Sequence, residues 1–577
     1  MQLHFEQEKP KAEIKAYLNR EYDAHPPDNV RLHLVPRGVT RIVDGIGPDL
    51  DSFNAIIIQA PTGFGKTHWI LHEVLPRVVQ AGGKMLLVSN RVAVSYQQKL
   101  KVMKIVNPSE ISCLTSEGVL KKTDFGPVKI MTLQALDLFL ATAQGKEYAK
   151  EVSVLVIDEV HYFTADVAFS PNAARLLKTI PQSFNNAIRI YMTATLDDVL
   201  RPIAEAEADV KRPIMERIGV RYSPLMLGQS PVVNVYQFTS DKYEQLPVRY
   251  VREDNTLYRE IKASNEKWLV FVSSKAQGES INEEIGNDAT FISADSKGSE
   301  EWNRLLAEER SSHRVLVTTS VLDCGVNIHD DDLKHVVIPF EDQVAFMQAL
   351  GRKRFDGRPN FTLYIKAIDK KRLDVLIGRN QRLLLLANEI QINRGYNRYV
   401  DRFRQEGDRT KDSLLYLDYV GRYNFNDLLY HKLLRQESYY KQLETAIEQY
   451  GDSAFPRLVH QWLGQPDAYD DQNWMGHDVA KEGMQALLAF LSEYNGRLLS
   501  TESEQKIFSI TFHRYYKIVT GDRRVDNRGD GYKKASALNN CLKKLGINGK
   551  VKSRGKDSGW IFTMTEDKSE KTSEQVR

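Results

Sequence analysis

The chain runs to 577 residues, too many for a single hydrophobic core, and at roughly 150 residues per domain it should divide into three or four. A composition of 42% hydrophobic and 27% charged residues with a formal net charge of +3 excludes any argument from global charge, so partners have to be sought in local patterns. The three cysteines, Cys113, Cys324 and Cys541, are far apart and form no Cys-x-x-Cys pair, so no disulfide framework, zinc site or iron–sulfur cluster is suggested, and a reducing compartment fits.

Residues 1–50 read as an N-terminal extension. Its opening, MQLHFEQEKPKAEIKAYLNREYDAHPP, mixes charge throughout and lacks the apolar core of a signal peptide, so a cytoplasmic protein is expected. The most apolar short run, Leu383 to Ala387, is far below the roughly 20 residues that span a bilayer, and no membrane association is expected. Chemistry begins at the apolar run Ala55 to Ile58, followed by QAPTGFGKTHWI. A strand, a glycine loop and a helix curl backbone N–H groups around a polyanion at a helix N-terminus. Ala60, Pro61, Thr62, Gly63, Phe64, Gly65, Lys66 and Thr67 occupy the phosphate-loop octet, with Ala60 where the strict pattern has glycine. In that arrangement Lys66 reaches the β- and γ-phosphates of ATP and Thr67 ligates Mg²⁺.

A second carboxylate for the metal is expected at the end of another buried strand. VLVIDEVHYF provides it: Val154 to Ile157 is continuously apolar, as in a parallel strand covered on both faces, and Asp158-Glu159 stand at its carboxyl end. Asp158 is the expected metal ligand and Glu159 the general base that polarises the attacking water.

The tetrapeptide Asp158-Glu159-Val160-His161 resembles the DExH box of superfamily 2 helicases and translocases, and further segments resemble that superfamily's motifs in the same order. LLVSNRVAVSYQQ, with Asn90 and Arg91, and VKIMTLQAL, with Thr132 and Gln134, are similar to early loops that touch a nucleic-acid backbone. YMTATL resembles the motif linking hydrolysis to strand movement, which implies a coupling role for His161, Thr193, Ala194 and Thr195. A second lobe is implied by KWLVFVSSKAQGESI, with Ser273 and Ser274, and by RVLVTTSVLDCGVNI, where Thr318 and Thr319 match strand-contacting threonines and Asp323 and Gly325 match ATP-linked positions. QALGRKRFDGR places Gln348 at the nucleotide and Arg352 and Arg354 as the arginine-finger pair, although the position that usually closes this motif is Phe355. The resemblance covers roughly residues 50 to 370. It implies two tandem RecA-like lobes of parallel sheet flanked by helices, at 51–225 and 226–370, and it implies ATP and Mg²⁺ as cofactors. Upstream of Ala55 there is no Phe and Gln pair of the kind DEAD-box RNA helicases use to read adenine, which separates the chain from that branch.

After Arg372 Leu and Tyr recur at three- and four-residue intervals through LLYLDYVGRYNFNDLLYHKLLRQESYYKQLETAIEQY, so 371–500 is expected to be helical. Residues 501–565 read as helix, basic glycine-rich loop, helix and β-hairpin, the order of a winged helix. Lys533, Lys534, Lys543, Lys544, Lys550, Lys552 and Arg554 supply a local basic excess suited to phosphates. It is similar in pattern to the winged-helix ends of mobile-element replication proteins. Residues 566–577 read as a disordered tail. The expectation is therefore an ATP-dependent superfamily 2 helicase or translocase with nucleic acid as partner, DNA favoured over RNA. The alternatives are a translocase that moves on duplex without separating it, and a replication initiator that uses ATP only as a switch.

Overall fold

The computed structural model describes residues 22, 25–36, 39, 41–46, 55–61, 63–89, 92–106, 116–165, 167, 172–196, 199–208, 233–239, 241–296, 298–319, 326–355, 357–393, 414–520, 534–553 and 559–564. By compactness the chain forms two units, Met1–Val248 with Lys262–Tyr469, and Arg249–Ile261 with Asp470–Arg577.

The first unit holds two sets of parallel strands. Strands β1 (Val30–Leu34), β2 (Ala55–Gln59), β3 (Lys84–Ser89), β4 (Val128–Thr132), β5 (Val152–Ile157), β6 (Ile188–Thr193) and β7 (Val233–Gln237) build a seven-stranded sheet in the order β1-β7-β2-β6-β5-β3-β4. The continuous apolar runs are explained by burial on both faces. Ile56, Ile58, Met85, Leu87, Val154, Val156, Ile190 and Met192 point to a core shared with Trp69, Ile70, Val74 and Val102. Their alternates Ala55, Ile57, Leu86, Val88, Leu155, Ile157 and Tyr191 point to the opposite core, shared with Leu136, Phe163, Leu177 and Ile203. A period of two is thus hidden inside runs that look uniformly hydrophobic.

The second sheet's parallel strands are β9 (Lys267–Phe271), β10 (Ala289–Ile292), β11 (Val315–Thr318), β12 (Leu333–Ile338) and β13 (Thr362–Lys366), in the order β10-β11-β9-β12-β13, while β8 (Val248–Val251) belongs to the second unit from Arg249 on. Two RecA-like lobes are therefore present. Their limits differ from the expected ones. β7 lies beyond residue 225 yet pairs in parallel with β1 and β2, and β1 comes from within the stretch expected to be an extension. Only long-range pairing recruits these strands, and local periodicity does not report it.

The segment after lobe 2 also departs from a purely helical expectation. LYL and YNF form an antiparallel hairpin, β14 (Leu415–Leu417) and β15 (Tyr423–Phe425). The turn is set by Asp418, which accepts from Val420 N, Arg422 N and Arg422 Nε at 2.9–3.0 Å, and by Gly421 at φ 81°. Helices Lys370–Asn393 and Asp427–Tyr450 follow the amphipathic pattern. They are not a separate layer: Ala387, Ile390, Leu428, Leu429, Tyr430, Leu433 and Leu434 belong to the lobe 1 core. Helix Asp427–Tyr450 touches both lobes. Lys432 Nζ donates to Thr164 O at 2.9 Å, while Tyr439 OH donates to Glu341 O at 2.7 Å and Arg435 lies 3.6 Å from Asp342.

In the second unit the described order is helix His477–Glu493, β16 (Leu498–Leu499), helix Glu502–Thr520, helix Ala535–Lys544, β17 (Gly549–Ser553) and β18 (Trp560–Met564). The three strands form one antiparallel sheet, β16-β18-β17. Leu487, Leu491, Phe508, Phe512, Leu538, Leu542, Val551 and Phe562 make its core. Helix His477–Glu493 and β16 precede residue 501, so this core begins earlier than the sequence pattern indicated. The exposed edge of β17 is closed by Asn539, which donates to Val551 O at 2.9 Å and accepts from Val551 N at 2.7 Å. One side-chain amide thus stands in for a neighbouring strand.

Candidate nucleotide site and nucleic-acid surfaces

The phosphate loop leaves β2 between β6 and β7, at the carboxyl edge where open parallel sheets bind ligands. Gly63 and Gly65 adopt φ 88° and 90°, a left-handed conformation that costs L-residues about 1–2 kcal/mol and turns the chain into the helix starting at Lys66. Lys66 is buried, and its ammonium donates to Ala60 O at 2.6 Å and Pro61 O at 3.3 Å. Burial pushes the Lys66 pKa down, opposed by Glu159 and Asp158 and reinforced by Arg354 and Arg352. Thr67 is half-buried on the first turn, Phe64 packs against Phe238, and Thr62 lies outside the described residues.

Asp158 is buried at the end of β5, its N–H bonded to Val88 O at 2.9 Å. Glu159 is one of two described non-glycine residues with positive φ, at 56°. Such a kink at a non-glycine residue, held in place by its surroundings, is a form of stored strain that clusters at active sites. Glu159 Oε2 lies 3.3 Å from His161 Nδ1, a contact without hydrogen-bond geometry. Burial alone pushes the Glu159 carboxyl up, but His161, Lys66 and Arg352 outweigh it and hold the group well below the usual 4.5. It is therefore ionised, as a base must be.

The segment expected to couple hydrolysis to movement joins these two motifs through backbone. Ala60 N donates to Thr193 O at 3.0 Å and Val160 N donates to Met192 O at 2.9 Å, so β6 is bonded to the phosphate loop on one side and to the Asp-Glu-Val-His turn on the other. Thr193 is buried and its hydroxyl donates to Thr195 O at 2.7 Å, with Ala194 half-buried between them.

From lobe 2, Gln348 and Arg352 are buried and linked by an Arg352 Nη2 to Gln348 Oε1 bond of 3.2 Å. Arg354 crosses the cleft: a Cβ built on Gly63 would lie 3.0 Å from Arg354 Nη1 and 3.9 Å from Lys242 Nζ. The lobes thus bring Lys66, Asp158, Glu159, Arg352 and Arg354 into one electrostatic cluster, which fits a polyphosphate and hard-oxygen ligation of a divalent cation by Thr67 and Asp158. Asp323 and Gly325 lie outside the described residues. Three further residues stand at this cluster. Asn327 accepts from Arg354 Nε at 2.9 Å and Nη2 at 2.8 Å; Lys353, fully buried, donates to Asp330 O and Arg354 O; and Lys242 stands over Phe355 at 4.4 Å. Asn327 follows Gly325 by two positions in a motif already visible; the lysines carried no signal.

The expected strand-contacting loops also follow strand ends. Thr132 caps helix Leu133–Leu140 by accepting from Ala135 N at 3.2 Å, and Ser274 caps helix Lys275–Ile285 by accepting from Gln277 N at 3.2 Å. Both hydroxyls keep a proton to donate, beside helix N-termini suited to phosphates. Gln134 and Ser273 are exposed and Thr319 is half-buried. Thr318 differs: it is fully buried and its hydroxyl turns to Ile292 O and Thr319 O, so as placed it offers a strand no surface. Asn90 and Arg91 lie outside the described residues. In the second unit Lys534, Lys543, Lys544, Lys550 and Lys552 are exposed, while Lys533 and Arg554 lie outside the described residues. No described helix is long and apolar enough to cross a membrane.

Residues 17–198 match the family described as the type III restriction enzyme res subunit. A 142-residue stretch is 26% identical to the ATP-dependent DNA helicase Hel308 of Aeropyrum pernix, covering 24% of this chain and 19% of that protein. The chain thus spans about a fifth of the curated relative it matches. Among solved structures, Saccharomyces cerevisiae Dbp5 bound to RNA and ADP BeF3 aligns with a TM-score of 0.39 at 16% identity, over 57% of this chain and 83% of that one. Mycobacterium smegmatis helicase Lhr bound to single-stranded DNA and AMP-PNP aligns with a TM-score of 0.39 at 18% identity, over 60% and 46%. With scores of this size the reading of the site rests on the chain's own residues. The phosphate loop and the carboxylate pair both fall within the matched residues, at the carboxyl edge of the first of two RecA-like lobes.

Proposed function

We propose that the chain is a superfamily 2 helicase or translocase of the DExH type that couples ATP hydrolysis to movement along nucleic acid, with DNA as its track. The observation that carries this reading is the convergence across one cleft of the phosphate loop and Glu159 from lobe 1 with Arg352 and Arg354 from lobe 2. Mg²⁺, when bound, would neutralise charge that develops on the phosphates. Thr67 and Asp158 would hold it. Lys66 and the loop N–H groups orient the triphosphate, Glu159 accepts the proton of the attacking water, and Arg352 and Arg354 stabilise charge on the transferred phosphoryl group. Because both arginines belong to lobe 2, their contact with the phosphates requires a closed cleft. Backbone bonds from β6 to Ala60 and Val160 give the closed state a route to the loops that touch the strand.

The helix–strand–helix–helix–hairpin order of the second unit, which we read as a winged helix, and its exposed lysines support DNA as the track. The test is ATP hydrolysis without nucleic acid and with single-stranded DNA, duplex DNA and RNA in turn at one salt concentration. Strong stimulation by DNA is expected. Hydrolysis indifferent to all of them would remove the helicase reading and leave an ATPase.

A further inference from the structure

Arg354 is a long, flexible cation whose value at a phosphoryl group depends on where its guanidinium is held. Of its five N–H groups, one is on Nε and two are on each of Nη1 and Nη2. Nε and Nη2 both donate to one atom, Asn327 Oδ1, at 2.9 and 2.8 Å. The remaining nitrogen, Nη1, is buried, finds no hydrogen-bond partner among the described residues, and faces Gly63 of the phosphate loop. A buried unsatisfied N–H is costly, so its persistence calls for a ligand.

The backbone around the pair is equally specific. Ile328 and Lys353 form an isolated parallel bridge, with Ile328 N donating to Arg352 O and Arg354 N donating to Ile328 O, each at 2.9 Å. Asn327 and Arg354 are therefore neighbours by construction. Lys353 Nζ, donating to Arg354 O at 3.1 Å and Asp330 O at 2.7 Å, braces the same strand from its buried side. Burial and the adjacent Arg352 both act against the Arg354 charge.

We propose that Asn327 is the positioning residue of the Arg354 finger: its amide oxygen takes the inner edge of the guanidinium and thereby directs Nη1 at the nucleotide's terminal phosphate. This rests on the reading of the site as an ATPase with Arg354 as finger. An acceptor is what the role needs, so Asp can serve and Ala cannot.

The test measures steady-state ATP hydrolysis and binding of a fluorescent ATP analogue for the full chain and for Asn327→Ala, Asn327→Asp, Arg354→Ala and the Asn327→Ala/Arg354→Ala double variant, each checked for an unchanged melting temperature. Arg354→Ala should lower kcat by about a thousandfold. Asn327→Ala should lower kcat by about 10- to 100-fold, with KM and analogue affinity changed less than about threefold, because a misplaced group loses rate while the phosphate loop stays intact. Asn327→Asp should recover most of that loss, and the double variant should be no slower than Arg354→Ala alone, since Asn327 acts only through the arginine. Full activity in Asn327→Ala beside an impaired Arg354→Ala overturns the positioning role and leaves the ATPase reading intact. Additive losses in the double variant, or an Asn327→Asp variant as slow as Asn327→Ala, overturn it equally. A wild-type chain without ATPase activity, or an Arg354→Ala variant at full rate, overturns the finger assignment and the proposal together.

Discussion

Replacing Glu159 with Gln separates base from scaffold. The side chain is 16% exposed, its Oε2 is 3.3 Å from His161 Nδ1, and its backbone sits at φ 56°. Gln has the same length, presents an oxygen to His161 and bears the same left-handed strain of about 1–2 kcal/mol, so the fold should be preserved. What disappears is the proton acceptor. General-base catalysis contributes about 10²- to 10⁴-fold, so kcat should fall by that factor, equivalent to about 2.7–5.4 kcal/mol on the barrier. Binding should move the other way. Lys66, Arg352 and Arg354 face Asp158 and Glu159 in one cluster, and neutralising Glu159 leaves three cations against one carboxylate. A nucleotide polyanion is therefore held at least as tightly. Single-turnover hydrolysis and titration with a fluorescent ATP analogue measure the two effects separately. A variant that turns over within about threefold of wild type would falsify the assignment of the base. One that loses nucleotide affinity along with turnover would show that Glu159 holds the site together.

Three further outcomes are expected. The Glu159 carboxyl is held below its usual 4.5, so the stability it adds is present above that value and is lost as pH falls through the lower folded value. The difference in urea stability between wild type and Glu159→Gln should stay constant from about pH 8 to about pH 5.5, and a difference that already shrinks across that range contradicts the linkage. In lobe 1, fully buried Arg189 donates to both oxygens of Glu207 at 2.7 and 2.6 Å, and Tyr191 OH donates to Glu207 at 2.7 Å. Glu207→Ala should cost about 3–5 kcal/mol in chemical denaturation, and Arg189→Met/Glu207→Leu should cost less; the reverse order would mean that the pair itself is the main stabiliser. Changing Lys543, Lys544, Lys550 and Lys552 together to Gln should flatten the dependence of log affinity for DNA on log salt by about 3–4, and an unchanged slope would remove these lysines from the interface.

The resemblance in motif order and the apolar runs made the paired lobes legible, because parallel strands covered on both faces have no choice but to be hydrophobic throughout. Asp158 and Glu159 could be placed at a strand end from VLVIDEVH alone. The same logic failed for β1, whose VRLHL is polar enough to read as an extension and becomes a sheet strand only by pairing with β7. It failed for β14 and β15 because Leu and Tyr at helical spacing hid a turn that Asp418 and Gly421 impose.

By itself the sequence determined the nucleotide chemistry, since a glycine loop before Lys66 and a carboxylate pair after a buried strand are local requirements met by contiguous residues. Tertiary structure alone decided which side chains meet across the cleft. Arg354 reaching Gly63, Asn327 holding Arg354, Thr318 turned inward and helix Asp427–Tyr450 joined to both lobes depend on contacts between residues far apart in the chain. Such contacts are settled by packing and hydrogen-bond satisfaction in the folded whole, for which no local pattern exists.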